Sequence, residues 1–192
     1  MRVIAGRLRG RHVDAPKGGS TRPTYDRVRE SLFAILGPRI EGAAVLDLFA
    51  GSGVLGIESI SRGARAAVLV DVAPGAVATI RRNVERLGVA SSCEIRRGDA
   101  ARLLERRAFG RRFDVVFVDP PYGSGVHERI LRLLGVAGAL EPGALVVVEH
   151  GAGDELPDAT GRLVLKRTER YGSTSVSFYE AGARDPNHRE AP

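Results

Sequence analysis

Residues Asp119-Pro120-Pro121-Tyr122 close the apolar run FDVVFV and are followed by Gly123. An acid, two rigid prolines and an aromatic ring in that order suit one task, which is to hold a planar base by its exocyclic amine. Such an amine is a weak nucleophile because its lone pair is delocalised into the ring. The Asp119 carboxylate and the Pro120 carbonyl can accept its two hydrogens, favouring a tetrahedral nitrogen aimed at an electrophile. Each proline locks its own φ and restricts the residue before it, so the pair fixes the turn that aims the carbonyl. Tyr122 can stack on the base, and Gly123 leaves room for it. A clamp of this kind works by alignment and preorganised hydrogen bonding, without a metal or a covalent intermediate. Alone, the same residues also read as a polar turn after a strand.

Three further acids follow apolar runs in the same way. Asp47 precedes FAGSGVLG, in which Gly51, Gly53 and Gly56 satisfy G-x-G-x-x-G, while Asp71 ends the second run and Asp99 follows the third through Gly98. Asp71 lies twenty residues beyond Gly51, about where a dinucleotide site places its ribose-binding acid. A pyrophosphate needs positive potential, however, and Asp47, Asp99 and Asp119 make this crevice negative. S-adenosylmethionine carries a sulfonium, an ammonium and one carboxylate but no phosphate, and an acidic rim suits it. The glycines let the backbone approach its methionine portion at the helix N-terminus.

A layered sheet is needed to position these groups. The runs AAVLDLF (43–49), AAVLVDV (66–72), CEIRR (93–97), FDVVFV (113–118) and ALVVVE (144–149) alternate with helical segments beginning near Val54, Pro74, Ala100 and Val126. Such runs predict a parallel sheet covered by helices on both faces, whose ligands bind beyond the carboxyl ends of the strands. Upstream, MRVIAGRLRGRHVDAP reads as two short strands around a turn and PKGGSTRP as a linker. Thr24 then caps a helix whose core stripe is Val28, Leu32, Ile35 and Leu36, ending at Gly37-Pro38. Residues 162–180 predict an antiparallel pair turning at Tyr171-Gly172, and the tail after Glu180 reads as disordered. The expected organisation is a hairpin and linker over 1–20, one catalytic domain over 21–180 and a tail over 181–192.

Composition narrows the classes. The 192 residues, 43% of them apolar, suffice for one sizeable core. Cys93 has no disulfide partner, and no apolar window matches a membrane span or a signal sequence, which predicts a cytoplasmic protein. The histidines are scattered, so no metal site is expected. His127 reads as a solvated helix residue, Cys93 as a small strand residue, and Tyr171 and Tyr179 as packing residues. Residues 1–29 hold eight basic side chains (Arg2, Arg7, Arg9, Arg11, Lys17, Arg22, Arg27, Arg29) against Asp14 and Asp26. That is 8 − 2 = +6, the net charge of the whole chain. Arginine's planar fork suits phosphates, so nucleic acid is the expected partner.

DLFAGSGVLGIE, Asp71, the GDA at 98–100 and the DPPY at 119–122 resemble the amine-methylating branch of the class I S-adenosylmethionine-dependent enzymes. RVIAGRLRGR and TRPTYDRVRESLFAIL (21–36) are similar, more narrowly, to the RsmD family of bacterial 16S rRNA guanine-N2 methyltransferases. The resemblance implies a Rossmann-like α/β fold with a seven-stranded, mostly parallel sheet, an antiparallel last strand and an N-terminal hairpin that engages RNA. It implies methylation of one guanine amine in the small ribosomal subunit. Carried across, Asp47, Gly51 and Gly53 line the methionine end with Phe49 among the cofactor residues, Asp71 holds the ribose hydroxyls, and Asp99 with the Ala100 amide reads the adenine. Asp119, Pro120, Pro121 and Tyr122 hold the target base. Arg7, Arg9 and Arg11 belong to the RNA-engaging arm; either Arg22 and Arg27 flank the cofactor entrance and help hold the RNA backbone, or Arg27 forms a solvated face with Arg29 and Glu30. The chain is expected to act as a monomer. A DNA adenine-N6 methyltransferase could use the same clamp, but no inserted segment is large enough for a target-recognition domain. A non-catalytic RNA-binding protein would have no need of DPPY.

Overall fold

The structure, a computed structural model, describes residues 1–16, 23–121, 125–136 and 138–183. Its centre is one sheet built from β1 (Ala44–Asp47), β2 (Ala66–Asp71), β3 (Cys93–Arg97), β4 (Phe113–Val118), β5 (Leu140–Gly151), β6 (Ala159–Thr160), β7 (Leu163–Tyr171) and β8 (Thr174–Ala181). The order is β3-β2-β1-β4-β5-β8-β7-β6, with β1 to β5 parallel and β8 antiparallel to both of its neighbours. Seven strands were expected, and the described residues form eight. The addition is β6, whose two residues pair with Val164 and Leu163 and are too short to carry any periodicity.

The helices α1 (Pro23–Leu36), α2 (Val54–Ser61), α3 (Pro74–Arg86), α4 (Ala100–Glu105) and α5 (His127–Val136) cover the sheet. Alternate strand residues enter two cores. Val45, Leu69, Val115 and Val147 pack with Leu32, Phe33, Ile57 and Ile80 from α1, α2 and α3, whereas Leu46, Val68, Val116 and Val148 pack with Leu104, Leu131 and Leu134 from α4 and α5. Burial on both faces explains why β1, β2, β4 and β5 read as unbroken apolar runs. Each such side chain contributes roughly 1.5–3 kcal/mol relative to exposure. Helix α1 begins at Pro23, so Thr24 falls in its first turn and not at the cap position. The β7–β8 turn falls at Gly172 and Ser173, with Gly172 at φ +64.

The N-terminal hairpin forms only one β-bridge, Arg2 to His12, and lies against the body of the protein. What holds it is a buried acid on α2. Glu58, 0% exposed, accepts hydrogen bonds from the Ile4 amide at 2.7 Å and the Ala5 amide at 3.0 Å, and pairs with Arg62 Nε at 2.7 Å. Ser61 adds a second anchor. Its carbonyl accepts the Arg7 amide at 2.9 Å and its hydroxyl the Leu8 amide at 2.9 Å. At Gly6, φ +79, a Cβ would sit 1.9 Å from the Ser61 carbonyl oxygen, so only glycine permits this approach. Arg29 is not part of a solvated face as its position among charged residues suggested. It is 1% exposed, donates to the Arg2 carbonyl at 2.5 Å and pairs with Asp26 at 3.1 Å, because the backbone of the docked segment needs a donor there. Among the described residues no helix is long and apolar enough to cross a membrane.

Glu58→Ala strands two amide donors and the half-buried Arg62 charge together. Denaturant titration is expected to show a loss of about 3 kcal/mol or more, with faster amide exchange in residues 1–13; a change within experimental error would remove Glu58 as the anchor.

Candidate active site

The strand order reverses direction between β1 and β4, which opens a crevice at the carboxyl ends of the strands. All four acids stand around it. Asp47 is the last residue of β1 and Asp71 the last of β2, Asp99 caps α4 after β3, and Asp119 follows β4 directly.

Their environments differ. The Asp71 carboxylate accepts the Gly51 amide at 2.9 Å on one oxygen and the Ala73 amide at 2.8 Å on the other, so it shapes the glycine turn as well as facing the crevice. Asp99 is exposed; one oxygen accepts the Arg102 amide at 2.9 Å, which caps α4, and the Ala100 beside it is buried. Asp119 is half-buried, Pro120 is buried and Pro121 exposed. Tyr122 lies outside the described residues.

Asp47 is the anomalous member. It is 1% exposed, and neither carboxylate oxygen has a hydrogen-bond partner among the described residues. Burial raises its pKa to about 8, helped by the nearby charges of Asp119 and Asp71. The Gly56 and Phe49 amides approach closely enough to offset part of this without either completing a hydrogen bond. An orphaned, dry carboxyl beside two further acids is what a cationic ligand would satisfy.

The glycines divide the work between conformation and space. Gly51 has φ +54 with nothing within 4 Å of where a Cβ would lie, so its reason is conformation and not space. Gly56 on α2 has the opposite reason, since a Cβ there would meet Leu69 at 2.1 Å and push the helix off β2. The turn itself is tied to the sheet by the Ala50 amide donating to the Val70 carbonyl at 2.8 Å.

Several contributors escaped the sequence reading. Val72, immediately after Asp71, is 64% exposed on the rim and offers an apolar flank. His127 is buried, not solvated: its Nε2 donates to the Glu149 carbonyl at 3.0 Å and so ties the start of α5, just beyond DPPY, to the end of β5. The signal was present, because His127 precedes the buried Ile130 and Leu131 by three and four residues on the same helix face. His150 stands edge-on to it at 6.3 Å between ring centroids, and burial lowers its pKa. Its Nδ1 donates to the Gly151 carbonyl, leaving Nε2 to accept the Ser177 hydroxyl at 2.9 Å. The tyrosines pack as expected, Tyr179 buried and Tyr171 hydrogen-bonded to Ser31 of α1.

Arg7, Arg9, Arg11 and Arg27 are exposed, whereas Arg22 lies outside the described residues. A separate cleft of about 320 Å³ lies at the amino ends of the strands, lined by Arg39, Arg65, Asp114 and Gly143 among others. Its Arg65–Asp114 pair at 3.0 Å neutralises itself, and none of the four acids reaches it.

Residues 1–180 match the family described as conserved hypothetical protein 95. A putative rRNA methyltransferase, YlbH, of Bacillus subtilis is 42% identical over 183 residues, covering 94% of this chain and 98% of its own. Ribosomal RNA small subunit methyltransferase D of Escherichia coli K12 is 36% identical, covering 95% and 91%. The solved structure of the putative methyltransferase yhhF from Escherichia coli superimposes with a TM-score of 0.84 at 35% identity, over 96% of this chain and 99% of that one.

Asp47 is neutral in the fold up to about pH 8 but ionises near 3.8 when free of it. The unfolded chain therefore binds fewer protons across that window, and this group's contribution to stability falls as pH rises through it. Asp47→Asn, lacking that slope, is expected to melt a few degrees above the ligand-free wild type at about pH 8 and level with it at about pH 4. Identical pH profiles by calorimetry would contradict the assignment.

Proposed function

The chain belongs to the conserved hypothetical protein 95 family and is an RsmD-type class I methyltransferase acting on ribosomal RNA, and we propose that it methylates the exocyclic N2 amine of one guanine in 16S rRNA. One observation carries the reading of the site: a buried carboxyl without a hydrogen-bond partner among the described residues, Asp47, faces the same crevice as the acid that opens DPPY. S-adenosylmethionine supplies, when bound, an electrophilic methyl group on a cationic sulfur. The residues present suit that ligand.

Asp47 gives its cationic end a counter-charge, and Gly51 and Gly53 let the backbone approach beside Phe49. Asp71 keeps lone pairs for ribose hydroxyls after accepting two amides, and Asp99 with the Ala100 amide offers an acceptor and a donor to an adenine edge. Val72 adds an apolar flank. On the substrate side, the Asp119 carboxylate and the Pro120 carbonyl accept the two amine hydrogens. That withdraws the nitrogen lone pair from the ring and aims it, while Tyr122 stacks on the base. The proton lost on methylation passes to Asp119 or to water. Arg7, Arg9, Arg11, Arg22 and Arg27 hold the RNA backbone by charge. The protein works as a monomer in the cytoplasm, on rRNA or the small subunit.

The test is transfer of labelled methyl from S-adenosylmethionine to small-subunit RNA lacking its own modifications, followed by nucleoside analysis. Label in N2-methylguanosine is the expected product, and label in adenine of duplex DNA would overturn the substrate. Asp119→Ala is expected to slow transfer by about a thousandfold with little change in cofactor affinity. Replacing Arg7, Arg9 and Arg11 with alanine should weaken RNA binding and flatten its salt dependence by up to about three units of slope; an unaltered slope would return these residues to an ordinary solvated surface.

A further inference from the structure

Asn83 lies on α3 and is 0% exposed, yet none of the roles above uses it. Its Nδ2 donates to the Ser52 carbonyl at 2.9 Å and to the Asp14 carbonyl at 2.9 Å. Its Oδ1 accepts the Asp14 amide at 3.0 Å and Arg86 Nη2 at 3.0 Å. Every donor and acceptor position of the amide is therefore filled. Ser52 stands between Gly51 and Gly53 in the cofactor turn, and Asp14 closes the docked N-terminal segment that carries Arg7, Arg9 and Arg11. A second contact joins the same two pieces, since the Ser52 hydroxyl donates to Met1 Sδ at 3.7 Å.

We propose that Asn83 is a positioning residue that couples RNA engagement at the N-terminal segment to the conformation of the cofactor turn, so that each ligand tightens the other. The inference rests on the function proposed above. Asp14 cannot move without breaking both of its hydrogen bonds to one buried amide, and that amide cannot reorient without releasing the Ser52 carbonyl. RNA held against the arginines restrains the segment, and through Asn83 it restrains the turn in the geometry that receives the methionine end. Thermodynamic linkage makes the effect reciprocal. The link lies outside the crevice and touches neither ligand.

Calorimetric titration of S-adenosylhomocysteine into the full chain, alone and with saturating unmodified 16S rRNA transcript, reads the coupling. Wild type is expected to bind it about fivefold tighter or more with RNA present. In Asn83→Ala that ratio is expected to fall towards one. A purely structural role would weaken each ligand and leave the ratio as it was. Should the variant fail to fold, hydrogen exchange on the wild type decides: S-adenosylhomocysteine alone is expected to slow exchange in residues 11–14, and protection confined to the crevice would overturn the proposal. Equal affinities with and without RNA overturn it too, while leaving the proposed function standing. Absence of any S-adenosylhomocysteine binding overturns both.

Discussion

A carboxyl group buried without a hydrogen bond is among the costliest things a fold can contain, and among the described residues Asp47 is such a group. Its surroundings make sense as a response to that cost. Desolvation and the neighbouring Asp119 and Asp71 keep it protonated, so the crevice holds a latent negative charge that a cation can develop. Asp71 spends its own hydrogen-bonding capacity on the turn that leads away from Asp47. The left-handed φ of Gly51 lets that turn form. Stability has been given up at the one place where a positively charged ligand would restore it, and the rest of the sheet supplies the rigidity that makes this tolerable.

The basic N-terminus follows a different logic. Eight cations in 29 residues look like a free arm, but the backbone of residues 2–14 is fastened by Glu58, Ser61, Arg29 and Asn83. These anchors take hold of main-chain groups and leave the side chains of Arg7, Arg9 and Arg11 in water. They add to the segment's own cross-strand bonds, such as the Val3 amide to the Arg11 carbonyl and the Val13 amide to the Met1 carbonyl. A charged surface held rigid in this way loses less entropy on meeting a polyanion than a flexible tail would.

Legibility in the sequence tracked burial symmetry. β1, β2, β4 and β5 were evident because both faces are covered, and the acids at their ends followed from the rule that chemistry sits beyond the strand carboxyl ends. β6 left no trace because two residues, Ala159 and Thr160, carry no pattern. Glu58, Asn83, Arg29 and His127 were harder to read for a shared reason. Each is a polar residue on the apolar face of a helix, where its partner is backbone from a segment tens of residues away, and local periodicity contains nothing about that partner. Asn83 sits three residues after Ile80 and four before Leu87, both buried. A polar residue inside such a stripe is the available signal, and it says that a partner exists without saying which.

The sheet's order also bears on how the chain matures. β7 pairs only with β8 and with the two-residue β6, and β8 is what joins it to β5. Until residues 174–181 have been synthesised, the edge of β5 stays open and β7 has only the two-residue β6 beside it. The parallel half of the sheet can assemble earlier from β1 to β5, since its pairings are complete by Gly151. A chain interrupted between those points would display one long, unpaired edge of β5, of the sort that templates association with other chains. Protection against that fate rests on β8, so loss of the β8 segment is a solubility lesion well before it is a catalytic one.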